Sequence, residues 1–405
     1  MAHRVLLVNK YYYPRGGDCV VMMGTEALLR DNGVEAEAFA MDYPDNVKAR
    51  YQALFAPEVS FDGSIGNQLR AFKRTMGAGD VKDRFVAVLD EFKPDVVHLH
   101  NIHSYLSPVV GKIAHQRGIR VVWTMHDYKL LCPRYDCLCD GQPCEHCFSQ
   151  PHGLKTAVIR RRCMKGSLPA SVVAWLEALR WNRAALERHT DVFVCPSRFM
   201  ADKMLQAGFN ADKIKVLNNF IDPAKLNRCQ SMLDEGSRTR EDYYCYVGRL
   251  SHEKGVARLL IEAEKLPYRI KVAGTGPLED ELKKRFGGRS NIEFLGQLDA
   301  QGVADLLSHA TMSVVPSQWY ENNPLSIIEA LCAGTPVVGT DIGGIPELID
   351  EGRNGLICPS ADHLMTTIHD AMSRQWDHDA IARDALQRFS PRAHLNTLIN
   401  EIYTP

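Results

Sequence analysis

The stretch 321-ENNPLSIIEALCAGTPVVGTDIGG-344 joins a helix to a strand. Asn323 is a good N-cap residue, Pro324 suits the first helical position, and Gly334 stands where a helix should stop. PVVGT then reads as a short buried strand, an apolar run bounded by turn residues. A helix followed directly by a buried strand is the repeating unit of a parallel α/β sheet. The same stretch also carries two glutamates, Glu321 ahead of the helix start and Glu329 inside it. A helix N-terminus favours negative charge, because its N–H groups are free and its dipole points outward. A carboxylate just ahead of such a site needs a reason beyond the surface exposure ordinary for glutamate.

Working outward, the same alternation recurs along the chain. RVLLVN (4–9), VEAEAFA (34–40), DVVHLH (95–100), RVVWTMH (120–126) and VFVCPS (192–197) read as strands, and KIKVLNNFID (213–222) closes this series. A second series runs through YYCYVGRL (243–250), YRIKVAGTG (268–276), NIEFLG (291–296), MSVVPS (312–317) and TPVVGT (335–340). Strands alternating with helices predict parallel sheets covered on both faces, and two such series predict two doubly wound domains. Residues 223–242 carry many charges and no sustained apolar period, so they read as an irregular join. The predicted division is therefore 1–222 and 223–390. In doubly wound sheets ligands bind beyond the carboxyl ends of the strands. Two such domains facing a central cleft would enclose a ligand.

At 405 residues with 45% hydrophobic content, the chain has ample material for two cores. A formal net charge of −1 gives no global case for nucleic acid as a partner. No apolar run reaches the length of a membrane span, and VLLV is too short for the core of a signal peptide. The expected location is cytoplasmic. Twelve cysteines, five of them between Cys132 and Cys147, point in a reducing compartment to metal or packing before disulfides.

Several motifs sit at strand ends. YYYPRGGD (11–18) places Gly16 and Gly17 after the first strand, where backbone N–H groups can meet phosphate; the alternative is a plain turn. GRLSHEKG (248–255) sets Arg249 and Lys254 on either side of a polar turn, and two cations there suit a diphosphate. AGTGPLED (273–280) lacks the third glycine of a dinucleotide fingerprint, with Glu279 in its place, which disfavours an NAD-dependent oxidoreductase. His126, directly after a strand, can donate a hydrogen bond or carry a proton; a structural histidine is the competing account. The only Asp-x-Asp, Asp377 and Asp379, lies in a polar helical stretch and is discounted as a metal site.

CPRYDCLCDGQPCEHC (132–147) holds the tight pair Cys144 and Cys147, which can grip one tetrahedral zinc with two further ligands. Cys132, Cys137, Cys139, His146 and Cys163 are the candidates. Reduced buried thiols and a redox pair are the other readings. In 168–188, Val172, Trp175, Leu176 and Leu179 share a helical face, and Arg180, Arg183 and Arg188 add positive charge. Such a helix packs on a core or rests on an anionic membrane surface.

Taken together, Glu321–x7–Glu329 with EALCAGTPVVGTDIGGIPELI, PRGGD, the strand-end His126, PSRF…KIKVLNNFID, GRLSHEKG and AGTGPL resemble the family 4 retaining glycosyltransferases of the GT-B fold. The resemblance covers nearly the whole chain. HDYKLLCP with its trailing cysteines is similar to a bacterial subgroup that builds surface polysaccharides. The resemblance implies a hexosyltransferase that uses a nucleotide-sugar donor, UDP-linked, and a saccharide or lipid-linked acceptor, with peripheral contact at the inner face of the membrane. It implies that Glu329 holds ribose hydroxyls, that Glu321 and His126 sit at the sugar, and that N–H groups near Asn323, Leu325 and Ser326 meet the terminal phosphate. Arg249 and Lys254 would neutralise the leaving diphosphate, with Gly16 and Gly17 approaching it from the first domain. No cofactor is then needed for catalysis. The subgroup's pattern places a cysteine at Cys163, and the expected structural zinc is held by Cys132, Cys144, Cys147 and Cys163, away from the chemistry. The fold further implies that the last helix, 391–405, packs back on the first domain. Asn322 and Asn323 replace the family's aromatic–glycine pair, a departure at the donor sugar. Rival readings are a sugar-nucleotide epimerase of the same fold and a non-catalytic zinc or scaffold protein.

Overall fold

A computed structural model describes residues 4–149, 155–235 and 239–404. The chain forms two compact units, one of residues 1–217 with 395–405 and one of residues 218–394. Each is built on a six-stranded parallel sheet.

In the first unit the strands are β1 (Arg4–Val8), β2 (Glu35–Phe39), β3 (Val96–Leu99), β4 (Arg120–Thr124), β5 (Val192–Cys195) and β6 (Ile214–Val216). Their order across the sheet is β6-β5-β4-β3-β1-β2. Val5, Leu6, Leu7 and Val8 are all fully buried, as expected for a strand covered on both faces. Helix α1 (Gly17–Asp31) returns the chain from β1 to β2. The order reverses between β1 and β3, so the loops after those two strands open the crevice of this unit.

The second unit uses β7 (Glu241–Val247), β8 (Arg269–Ala273), β9 (Ile292–Gly296), β10 (Ala310–Val315), β11 (Val337–Thr340) and β12 (Gly355–Cys358), in the order β9-β8-β7-β10-β11-β12. Successive residues of β7 face opposite layers: Tyr243 and Cys245 enter one core, Tyr244 and Tyr246 the other. The reversal lies between β7 and β10.

The segment 223–242, expected to be irregular, is mostly a helix, α2 (Pro223–Asp234). Asp222 accepts from the N–H groups of Ala224 and Lys225, and Pro223 occupies the first turn. Leu226, Cys229 and Leu233 pack on the core of the second unit. Three apolar residues at helical spacing suffice, although charged neighbours hide the period. Residues 236–238 of that segment lie outside the described residues. At the other terminus, Tyr403 donates to or accepts from His98 Nδ1 at 2.7 Å, and Arg120 Nε donates to the carbonyl of Ile402 at 2.9 Å, which ties the final turns into the first unit.

Candidate active site

At the reversal point of the second unit, two loops meet. The loop after β7 carries Arg249, which is exposed, and a single helical turn ending at Lys254. Gly255 follows at φ +72°, and a Cβ there would lie 1.9 Å from the carbonyl oxygen of Pro316. Only glycine allows this approach. It brings Lys254 against the loop after β10, where Gln318 N–H donates to the Glu253 carbonyl at 2.8 Å.

The Lys254 ammonium donates to Glu321 Oε1 at 2.6 Å, and Ser317 Oγ donates to the same oxygen at 2.6 Å. Glu321 is only 5% exposed. Burial alone would raise its pKa, but Lys254, Ser317 and Trp319 hold it below the usual carboxylate range. The carboxylate at this helix start is therefore an ionised, buried member of a charge pair. Its main chain is equally fixed: Gly344 N–H donates to the Glu321 carbonyl at 2.7 Å. Gly343, at φ +63°, passes so close that a Cβ would lie 2.3 Å from that carbonyl.

The helix beyond, α3 (Leu325–Cys332), starts one residue later than expected. Asn323 is not its cap. Its side-chain oxygen accepts from Asn219 N–H at 2.8 Å, and its carbonyl accepts from Asn219 Nδ2 at 2.8 Å. The reciprocal pair ties the strand-exit residues of KIKVLNNFID to the helix entry. Asn323 Nδ2 is buried with no partner among the described residues. Ile327 makes the first bond of the helix, to Pro324, so the N–H groups of Leu325 and Ser326 lie ahead of the hydrogen-bonded ladder. One turn in, Glu329 pairs with Lys225 of α2 at 2.5 Å. Sequence reasoning missed Ser317, Asn219 and Lys225. Asn219 and Lys225 lie about a hundred positions from their partners, and no local pattern links them. Asp377 caps the helix His378–Arg388 through Ala380 N–H, in keeping with the discount of that Asp-x-Asp.

In the first unit, Gly16 and Gly17 are exposed at the start of α1, and a Cβ at Gly17 would meet nothing within 4 Å. His126 stands at the exit of β4, stacked on His100 with ring centroids 5.2 Å apart and a 2.9 Å contact between His126 Nε2 and His100 Nδ1. His100 stacks in turn on His98 at 4.3 Å. Burial holds His100 and His126 well toward the neutral form. A neutral His126 acts here as a hydrogen-bonding group rather than a cation. Beside it, burial pushes the Asp127 carboxyl up to about 6. Asn101, after β3, donates its side-chain amide to Asp18 at 3.2 Å and its backbone N–H to Asn9 Oδ1 at 3.0 Å. Only His126 of this network stood out in the sequence.

All six cysteines from Cys132 to Cys163 are free thiols. Cys132 and Cys147 stand together, with Cys137 as the third member, and both thiols donate toward the Cys132 sulfur. Backbone N–H groups of Arg134 and Cys137 also point at it. Cys163 instead pairs with Cys139, and Cys144 lies near Cys163. Among the described residues no group of three His, Cys, Asp or Glu side chains is set to hold a metal ion. The stretch 168–188 forms two helices, Leu168–Arg180 and Arg183–Arg188. The first buries Ser171, Ala174 and Glu177, while Val172, Trp175, Leu176 and Leu179 are half-buried. No described helix is long and apolar enough to cross a membrane.

Comparison with known proteins bears on the family and the fold. Residues 20–225 match the family model described as Glycosyltransferase Family 4, and residues 230–388 match that described as Glycosyl transferases group 1. The chain is 29% identical to the sulfoquinovosyl transferase SQD2 of Arabidopsis thaliana over 58% of its own length and 49% of that protein's. It is 26% identical to a 42.6 kDa protein of the cps region of Klebsiella pneumoniae, over 66% of its own length and 63% of that protein's. The chain thus spans about half the length of the first curated relative. Among solved structures, Anabaena HepE in complex with UDP-glucose superposes with a TM-score of 0.63 at 17% identity, with all of both chains covered. At that identity the likeness shows the GT-B fold.

Proposed function

The chain belongs to glycosyltransferase family 4, and from that premise we propose that it is a retaining glycosyltransferase that moves a sugar from a UDP-linked donor to a saccharide or lipid-linked acceptor in bacterial polysaccharide synthesis. The observation that carries the reading is the ion pair of half-buried Lys254 with buried Glu321, beside the free helix start at Leu325 and Ser326. HepE, which shares the fold, is described with UDP-glucose, and the Klebsiella relative with a cps region.

In this reading the N–H groups of Leu325 and Ser326 receive the terminal phosphate. Arg249 and Lys254 neutralise the charge that develops on the leaving diphosphate, so the protein supplies the cations and no metal serves the chemistry. As the diphosphate leaves, the anomeric carbon becomes electron-poor, and the ionised Glu321 stabilises it. Glu329 accepts from two ribose hydroxyls, with Lys225 fixing its orientation. Asn323 offers its unpaired amide to the donor. Gly16 and Gly17 leave the end of β1 open to a phosphate, and neutral His126 contributes a hydrogen bond at the sugar. The first unit is the acceptor-side domain and the second the donor domain. We place the protein in the cytoplasm, with peripheral membrane contact supported by the half-buried apolar face of Leu168–Arg180. Structural zinc at Cys132, Cys144, Cys147 and Cys163 belongs to the same reading, supported by the tight Cys144–Cys147 spacing and the contact of Cys147 with Cys132.

The test is incubation with UDP-, ADP- and GDP-linked sugars, with release of the nucleoside diphosphate measured with and without saccharide acceptors and the anomeric configuration of the product read by NMR. UDP release with retained configuration is expected. An epimerised sugar nucleotide, or no release from any donor, would overturn the proposal.

A further inference from the structure

The motif YYYPRGG contributes more than its glycines. Tyr12 turns inward, buried, with its hydroxyl on Glu26 at 2.7 Å. Tyr11 and Tyr13, on either side, are half-buried and turn the other way. There they meet Tyr43: ring centroids are 5.6 Å apart for Tyr11–Tyr13, 5.1 Å for Tyr11–Tyr43 and 6.0 Å for Tyr13–Tyr43. Tyr105 lies close enough to influence both Tyr11 and Tyr43, and it packs edge-on to Phe61 at 6.2 Å. Five half-buried aromatic rings therefore gather in the first unit, Tyr11 and Tyr13 just after β1, Tyr105 just after β3, and Tyr43 and Phe61 from the segment between β2 and β3.

The cluster has internal order. Arg15 sits 4.1 Å from the Tyr11 ring centroid and Lys10 at 5.4 Å, so Tyr11 is occupied by cations and hydrogen-bonds to Tyr43. It organises the others and leaves Tyr13, Tyr43 and Tyr105 as the rings open to a ligand. A packing core would have used apolar residues and closed over them. A surface for an anionic lipid would be basic, yet the groups nearest these rings include the exposed carboxylates of Asp45, Glu58 and Asp62. Flat aromatic faces rimmed by phenol hydroxyls and carboxylates match a pyranose ring, which has an apolar C–H face and a circumference of hydroxyl donors.

We propose that Tyr13, Tyr43 and Tyr105 form a saccharide-binding platform on the first unit that seats the sugar of the acceptor. The proposal rests on the glycosyltransferase reading and names the acceptor's chemical class at its contact point. The platform takes its ligand by stacking and hydrogen bonds, without charge, so retention should be insensitive to moderate salt.

The test is retention of the full-length protein on a printed array of defined oligosaccharides. The wild type is expected to bind a subset, and Tyr13→Ala and Tyr43→Ala should each weaken that binding by about tenfold, the loss of one good aromatic contact. Tyr43→Phe keeps the ring and should retain most of the binding, which separates stacking from misfolding. No retention of the wild type, or equal retention by both alanine variants, overturns the platform. Capture by phosphatidylglycerol vesicles in place of glycans overturns it as well. Calorimetric titration with UDP on the same preparation reads the donor site alone. UDP binding without glycan retention removes only the platform, whereas glycan retention without UDP binding upholds the platform and removes the donor reading.

Discussion

Glu321 is a carboxylate at a helix start, where the proposed function puts a phosphate. Its charge is met by Lys254, which leaves the helix start beyond it compatible with that proposal. Glu321 is buried, so removing Lys254 leaves its charge uncompensated, which costs about 3 kcal/mol, the low end for a buried pair because the Lys254 side chain is 28% exposed. Lys254→Met should therefore lower the melting temperature and also reduce turnover by about 10²-fold, roughly the 3 kcal/mol of a lost oxyanion donor. The double change Lys254→Met with Glu321→Gln separates the two effects. Stability should return while turnover stays low, as read by thermal melts and steady-state kinetics. Full turnover in the single variant would remove Lys254 from the donor site. Glu321, Arg249 and Lys254 stand out in the sequence because each lies beside a strand end or helix start that the local pattern reveals, and Glu329 because it stands one turn inside that helix. Asn219 and Lys225 do not, since their roles come from contacts between distant segments, and Ser317, four residues before Glu321, was missed because nothing in the local pattern marks that serine as a donor to the carboxylate.

Elements were legible where apolar periodicity is uninterrupted. Short β12, four residues behind a glycine turn, and α2, with its apolar positions set among charges, were lost for want of a clear period. The end of the second unit holds a titrating contact of its own. His394 Nδ1 bonds the Asn218 carbonyl at 2.9 Å, its ring packs 4.5 Å from Phe220, and burial depresses its pKa to about 4. The unfolded histidine has a pKa near 6.5. Above pH 6.5 both states are neutral and stability is complete. As pH falls from about 6.5 toward about 4 only the unfolded state gains the proton, and stability is lost. His394→Gln, which can still donate to Asn218, should flatten that acid limb by on the order of 2 kcal/mol, allowing for the partial exposure of the ring. Denaturant melts from pH 7 to 4.5 check it, and an unchanged slope would refute it. In the cysteine lobe, the zinc reading predicts about one metal per chain by elemental analysis of protein purified without an affinity tag, because thiolate ligation is coupled to folding. Less than about one-tenth of a zinc per chain would leave buried thiols as the account.

At the scale of the molecule, two alternating series of strands were enough to read two doubly wound sheets, since parallel sheets bury both faces and so write continuous apolar runs. Which strands flank each reversal could not be read, because strand order is a property of long-range packing. The reversal between β7 and β10 matters most: it puts Arg249 and Lys254 on one side of the crevice and Glu321 on the other. All the protein groups assigned to the donor's nucleotide and diphosphate, apart from the glycines after β1, belong to the second unit. A nucleotide bound there should stabilise it by mass action, by about 2.7 kcal/mol at a hundredfold excess over Kd. UDP should therefore raise the melting temperature of the wild type, and Arg249→Ala should reduce that gain. In the proposed donor site the charge is met by side chains and a helix start, so EDTA should leave the UDP-induced shift unchanged. A metal that bridges diphosphate to protein would behave otherwise: chelation would abolish the shift at once, and magnesium or manganese would restore it. Chelation of a structural zinc would lower the melting temperature slowly and equally with and without UDP, so differential scanning with the four combinations of UDP and EDTA distinguishes a metal in the chemistry from a metal in the scaffold.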